Sequence, residues 1–394
     1  MKPVGSKSII LVLTSLIGQH DFGGTTHQAE LIDQLSRDFD VRLSNMSPGK
    51  RRGRDSLPTM RIKELRAIYA ADHVLQNIVQ GLRITRKSEV RLIYVRHGIS
   101  TLSATVLKKI TGIPLVLEVN GIMSDEMMSR PGVTGRLLNF LDATGCRNST
   151  VIVAVTHGLK EHFSEILGKD PNDIVVIPNG ANTRIFRSMD RALCRKELRM
   201  PPSAKCVFFV GNVAPWQGLE TLVDAAPSIL RDVPGTLFII AGTGERLQSL
   251  VDRANERGVL HKFTFVGNVP NAEVPRYISA SDVCVAPFTK RRNAAIGLSP
   301  IKIYEYAACA RPIVASRIRN LEFLEEMKAG LLFEPENAEQ MASAVVSLLR
   351  DPARCERMGA NGRAVVEAKY SWEITSVKLA EVFRRVIEHH NLIA

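Results

Sequence analysis

Short apolar runs alternate with longer amphipathic stretches along almost the whole chain. The runs IILVL at 9–13, LVLEV at 115–119 and VCVA at 283–286 are dense in β-branched residues and show little polar alternation. That is the signature of parallel strands covered on both faces. The pattern predicts strands at 9–13, 41–43, 92–95, 115–119, 151–155 and 174–177, and a second set at 206–210, 236–240, 262–266, 283–286, 313–315 and 331–333. Between them lie helical spacings. Residues 26–37 carry Leu31 and Leu35 on one face, and 60–82 carry Ile62, Leu65, Ile68, Tyr69, Leu75 and Ile78. Residues 371–390 are amphipathic around Trp372, Ile374, Val377, Leu379, Val382, Phe383 and Val386. The expected fold class is α/β, with two doubly wound Rossmann-like units. They meet near Pro178-Asn179-Gly180, whose turn chemistry suits a hinge.

A chain of 394 residues has room for two such units. With 45% hydrophobic and 23% charged residues it is globular rather than disordered. The six cysteines are scattered, without a CxxC pair or metal-like spacing, which predicts unpaired thiols in a reducing cytoplasm. The net charge of +12 calls for an anionic partner: nucleic acid, membrane surface or phosphorylated substrate. Nucleic acid is disfavoured, because no aromatics interleave a basic stripe and no familiar binding module is present. The cations are densest at Lys50, Arg51, Arg52, Arg54, Arg61, Lys63 and Arg66, leading into the amphipathic 60–82 stretch. This reads either as a solvated charged loop or as a face for anionic lipid headgroups. Lys7 ahead of IILVLTSLIG imitates a signal peptide, but the run is short, β-branched and followed by Gly23-Gly24, as a first strand should be. No run approaches the ~20 apolar residues that span a bilayer, so membrane contact is expected to be peripheral, on the inner face of the cell membrane.

The segment GLSPIKIYEYAACARPIVAS, 297–316, carries the most chemistry. A Gly-Leu-Ser-Pro turn opens a short helix with Pro300 in its first turn, where a missing N–H costs nothing. Free amides there, with Ser299 and Ile301 beside them, suit a diphosphate. Lys302 can add a positive charge, and Glu305 can accept two hydroxyl hydrogen bonds. Diphosphate beside vicinal hydroxyls describes a nucleotide sugar. Zinc spacings, Gly-x-Ser-x-Gly elbows and Walker loops are absent from the sequence. Asp38-Phe39-Asp40 has the form of a metal-binding DxD, but an exposed turn accounts for it.

This segment resembles the donor-site signature of family-4 glycosyltransferases with the GT-B fold, in the form SPxKxYEY. Glu305 matches the second Glu of that family's Glu-x7-Glu motif, while the first falls on Gly297. The resemblance spans nearly the whole chain. Gly23-Gly24 resembles the glycine-rich acceptor-side loop. LVLEVNG at 115–121 resembles the strand reaching the reaction centre, with Asn120 where many members have His. VIPNGANTRIF at 176–186 resembles the domain-junction signature. VGNVAPWQGLETLVDAA at 210–226 opens the second domain, with Asn212 and Gln217 where the family usually supplies Arg and Lys to the diphosphate. Gly242 and Gly244 match its GxG loop, and Val269 a base-contacting strand end. The resemblance implies a retaining, metal-independent hexosyltransferase that needs no cofactor beyond its nucleoside diphosphate sugar. Residues 1–182 would bind a glycan or lipid-linked acceptor through Arg96 and Asn120, as in polysaccharide biosynthesis, and 183–368 the donor, with 369–394 crossing back to the first domain. Glu305 would hold ribose. Lys302, with Arg291 or Arg292, would hold diphosphate, and Asn120, Lys302 and Glu305 are the expected catalytic set. A sugar-nucleotide epimerase or a non-catalytic scaffold on the same fold are the rival readings.

Overall fold

A computed structural model describes residues 7–13, 23–44, 62–122, 140 and 143–393. The chain divides into two compact units: Met1–His20, Gln28–Ile177 and Ser376–Ala394 in one, Asp21–His27 and Pro178–Thr375 in the other. The chain passes between units at Ile177/Pro178 and Thr375/Ser376, a few residues away from the boundaries read in the sequence. The cause is a backbone pairing inside the second unit. The Ala181 amide donates to Tyr370 O, and the Trp372 amide to Ala181 O. A side chain at Gly180 would stand 2.7 Å from the Ser371 carbonyl carbon.

The first unit holds a six-stranded sheet in the order β2-β1-β3-β4-β5-β6, with β1 Ile9–Leu13, β2 Asp40–Leu43, β3 Val90–Arg96, β4 Leu115–Val119, β5 Val151–Ala154 and β6 Ile174–Val176. The second holds β12-β11-β10-β7-β8-β9, with β7 Lys205–Val210, β8 Thr236–Ala241, β9 Phe263–Gly267, β10 Val283–Ala286, β11 Ile313–Ser316 and β12 Gly330–Phe333. Every pairing is parallel. Residues of β7, such as Val207 and Phe209 on one face and Cys206 and Phe208 on the other, enter different apolar clusters. A strand buried on both faces cannot alternate, which is why these runs read as continuous hydrophobe.

The helices fit the expected positions with shifts at their ends. Helix α1 is Gly23–Leu35, so Gly23 and Gly24 open a helix rather than form the glycine loop expected there. The first helical amides lack partners in any helix, so glycine is tolerated at this end. The basic segment Lys50–Arg61 lies outside the described residues. Beyond it α2, Ile62–Lys87, runs further than its periodicity indicated. The terminal helix is Trp372–Ile393, and within the first unit its Phe383 packs against Phe39 and Tyr94. Its Arg384 bonds Asp38 at 2.8 Å, while Asp40 bonds Arg42 at 2.8 Å. Both carboxylates of the DxD are thus engaged by arginines. All six cysteines are free and buried.

Candidate functional site

In the second sheet the strand order reverses between β7 and β10, and in open α/β sheets ligands bind beyond the carboxyl ends of strands at such a reversal. Two features build this edge. Glycines let neighbouring strand ends touch. Gly242 follows β8 at φ 132°, and a Cβ there would stand 1.9 Å from Gly211 O; at Gly244 it would stand 2.2 Å from Val213 O and 2.5 Å from Asn212 Oδ1. The second feature is a tight turn at Pro215–Gln217. Its Trp216 carbonyl accepts from the Thr289 amide at 3.2 Å and Asn293 Nδ2 at 3.3 Å. Gly218, at φ 63°, follows where a Cβ would lie 2.0 Å from Pro287 O. The turn after β7 is therefore locked against the segment after β10.

The helix Ile301–Ala308 enters this edge. Pro300 sits at its N-cap, one place earlier than its first-turn assignment. Ser299, immediately before, accepts from the Asn179 amide at 2.9 Å and pairs with the Tyr304 hydroxyl at 3.0 Å. Asn179 Nδ2 donates to Ser299 O at 2.7 Å. Ser299 is thus a clamp for the helix start, while Ile301 is partly exposed. Ala310, at φ 53°, follows the helix end.

Lys302 reaches from that helix across the strand ends. Its Nζ donates to Gln217 Oε1 at 2.6 Å and lies 3.9 Å from the centre of the Phe209 ring and 5.6 Å from that of Phe288. The aromatic faces favour a cation, yet burial pulls the ammonium down to about 7, with the Glu305 charge opposing that fall. The full charge expected of Lys302 is therefore held only when the pH is below neutral. Glu305, one turn on, is 8% exposed. Gln217, where the family usually supplies a lysine, presents its amide oxygen to Lys302.

Gly297 explains the missing first Glu. It adopts φ 70°, and a Cβ there would stand 2.3 Å from Asn320 Nδ2 and 2.9 Å from Arg319 O. No side chain fits without rebuilding the loop. Asn212 is exposed beyond β7, and Val269 is half-buried against the core beyond β9. Arg291 is exposed on the helix Lys290–Ile296, where Arg292 also sits, its side chain outside those described.

In the first unit, Arg96 and Asn120 stand at the ends of β3 and β4. Asn120 Nδ2 donates to Glu118 Oε1 at 2.5 Å. Glu118, 3% exposed, also accepts from the Tyr94 hydroxyl, which burial and this carboxylate push far above its usual range. The carboxylate inside LVLEV and His97 beside Arg96 were not singled out in the sequence. Neither were Phe209, Phe288 and Gly211, which look like ordinary core or turn residues, and Asn179 was read only as part of the hinge turn, not as a partner of Ser299. Among the described residues no group of three or more His, Cys, Asp or Glu side chains gathers as metal ligands.

A Glycosyltransferase Family 4 model matches residues 23–185, and a Glycosyl transferases group 1 model matches residues 204–351. The chain is 31% identical over 241 residues to the GDP-mannose-dependent alpha-(1-6)-phosphatidylinositol monomannoside mannosyltransferase of Mycobacterium tuberculosis, across 59% of this chain and 61% of that one. It is 29% identical over 241 residues to the D-inositol 3-phosphate glycosyltransferase of Segniliparus rotundus, across 60% of this chain and 52% of that protein. The matches thus span between half and two thirds of these relatives' lengths. Sucrose-phosphate synthase from Thermosynechococcus elongatus superimposes with a TM-score of 0.76 at 19% identity, covering 97% of this chain and all of that one. Anabaena HepE in complex with UDP-glucose gives 0.73 at 18% identity, covering 96% and 99%. With one family model on each of two parallel six-stranded sheets, and a fold shared end to end with GT-B proteins, the chain belongs to the family 4, group 1 glycosyltransferases.

Proposed function

We propose that this protein is a retaining hexosyltransferase that uses a nucleoside diphosphate sugar, without metal or other cofactor. The observation that carries the reading is Lys302 held by Gln217 over Phe209 at the β7/β10 reversal, with buried Glu305 one turn beyond. A diphosphate at this edge receives the Lys302 charge and the free amides of the Ile301–Ala308 helix. Ribose hydroxyls fall to Glu305, which as a carboxylate accepts two hydrogen bonds. Asn212, Gly242, Gly244 and Val269 border the nucleotide, with Arg292 as a further cation. Arg96 and Asn120 serve the acceptor.

The named activity of the mycobacterial relative makes GDP-mannose the first donor to try, and UDP-glucose the second. Glu305→Gln retains size but loses the charge that strengthens ribose hydrogen bonds. Turnover or donor affinity should fall at least tenfold, about 1.4 kcal/mol, and wild-type turnover should survive excess EDTA. Unchanged kinetics in the variant remove Glu305 as the ribose ligand. EDTA inhibition reversed by Mn²⁺ removes the metal-independent reading, and an epimer or free sugar released from donor alone favours the epimerase.

We further propose a lipid-linked acceptor reached from an anionic membrane surface. Among the described residues no helix is long and apolar enough to cross a membrane. However, α2 continues from the basic segment and exposes Leu75 and Val79, with Arg83 and Arg86 further along it. Each cation near an anionic surface adds about 1 kcal/mol. Replacing Arg51, Arg52, Arg54 and Lys63 with Gln should reduce co-sedimentation with phosphatidylserine vesicles and leave nucleotide-sugar affinity unchanged. Equal sedimentation of the wild type with neutral and anionic vesicles points to a soluble acceptor.

A further inference from the structure

The amide of Gln217 is in an unusual situation for a surface-turn glutamine. Its backbone is fixed on both sides. The Gln217 amide donates to Ala214 O at 3.0 Å, Gly218 N to Pro215 O at 3.3 Å, and Trp216 O accepts from Thr289 N and Asn293 Nδ2. The residue is 9% exposed, so its side chain has little freedom left to lose. Its oxygen is committed to Lys302 at 2.6 Å. The nitrogen of the same planar amide is then necessarily beside the ammonium, a neutral donor next to a charged one.

The surroundings of Lys302 Nζ explain why a neutral acceptor stands there. From β7 it meets the face of Phe209, from the segment after β10 the ring of Phe288, and from its own helix the charge of Glu305. Gly211, at φ 142°, leaves the space: a Cβ there would stand 2.5 Å from Nζ. A carboxylate at 217 would form a close ion pair, cancelling the ammonium and repelling a phosphate. A second ammonium would repel the first. A glutamine holds the cation and leaves its charge unspent. A lysine left to itself is a flexible point charge that loses rotamer freedom when fixed; the bond to Gln217 restricts that freedom before any ligand arrives.

We infer that Gln217 is a positioning residue for donor binding: it aims the Lys302 ammonium along the β7/β10 edge and sets its own amide nitrogen beside it, so that the two present a fork of donors to one phosphate. This rests on the donor-site reading above. The fork does for a phosphate oxygen pair what an arginine does with one side chain, in a site whose loop positions 212 and 217 carry no cation.

The test is calorimetric titration of GDP-mannose and UDP-glucose between pH 6 and 9 into wild type, Gln217→Met, Gln217→Glu and Lys302→Met, with folding checked by circular dichroism. Gln217→Met should bind the donor about tenfold more weakly at pH 6. Its affinity should also begin to fall at a lower pH than in the wild type, because the ammonium has lost its acceptor. Gln217→Glu should move that onset to higher pH while weakening binding throughout, since a carboxylate favours the ammonium but opposes phosphate. A role in packing alone moves neither onset. Wild-type affinity and onset in a folded Gln217→Met overturn the inference. If Lys302→Met also binds as the wild type does, or if the wild type binds neither donor at millimolar concentration, the donor-site reading fails with it. Weakening by Lys302→Met but not by Gln217→Met sinks the positioning role alone.

Discussion

Lys302→Met is expected to weaken nucleotide-sugar binding by tenfold to a hundredfold near pH 6, roughly 1.4–2.7 kcal/mol, and by much less near pH 9. The substitution keeps a stem to lie on Phe209 and removes only the charged head. In the wild type the ammonium titrates at about 7 because burial outweighs the pull of Glu305. Below that value the lysine is already charged, and the diphosphate binds without moving a proton. Above it each binding event takes a proton from solvent, so the dissociation constant should rise toward tenfold per pH unit. An intact nucleotide sugar is the right probe, since its diphosphate lacks the phosphomonoester ionisation near pH 6. The variant's affinity should be flat across the range, so the two curves converge as pH rises. Parallel curves mean that another group supplies the pH dependence, and coincident curves mean that Lys302 does not hold the donor.

Folding stability should move the other way. The folded-state value lies below the ordinary lysine value of 10.5, so the unfolded chain binds more protons between about 7 and 10.5. Lys302 therefore contributes stability that is fully present above 10.5 and lost as pH falls through about 7. Lys302→Met should unfold no earlier than wild type at pH 7, even though it binds donor worse. A lysine held below its ordinary value in this place costs the fold stability near neutral pH.

The strands were legible because their physics is local. Ile9–Leu13 and Leu115–Val119 are bounded as their apolar runs predict, β7 and β8 each extend one residue further at one end, and β9 is shifted by one residue. Helix starts were harder, as Gly23-Gly24 shows: glycine signals a turn in sequence, yet a first helical turn accommodates it. The Glu305 helix was readable from its chemistry, but the partners that define the site were not. Lys302 and Gln217 are 85 residues apart, and Ser299 and Asn179 are 120 apart. Nothing in either segment alone says that an amide oxygen on one turn takes the place of a counter-ion on a distant helix. Phe209 was invisible for a different reason. On β7 it has the spacing of any core residue, and its role as a face for Lys302 depends on being near the strand's carboxyl end. Glu118 was hidden inside an apolar run for the same reason, since only the fold brings Tyr94 and Asn120 to its two oxygens.

Gly242→Ala should be among the most damaging single-methyl additions in the second unit. Two costs combine. The backbone at φ 132° lies where L-residues are strained, which costs about 1–3 kcal/mol. The new Cβ would also stand 1.9 Å from Gly211 O and 2.9 Å from its carbonyl carbon, so backbone rather than a flexible side chain must give way. Overpacking of this kind adds about 1–3 kcal/mol. The Gly242 amide donates to Gly267 O at 2.6 Å and the Gly211 amide to Ala241 O at 2.9 Å, so the displacement reaches the ends of β7, β8 and β9 together. A combined loss of roughly 3–5 kcal/mol corresponds to a melting shift of about 6–20 °C for a unit of this size. Donor affinity should fall as well, because Gly211 leaves the space that Lys302 Nζ occupies. Gly235→Ala is the matched control: it lies in the turn before β8, with nothing within 4 Å of its added methyl. Thermal unfolding of the two variants in parallel checks the argument. A Gly242→Ala protein that melts with the control and binds nucleotide sugar like the wild type would show that the strand ends do not need their close glycine contact.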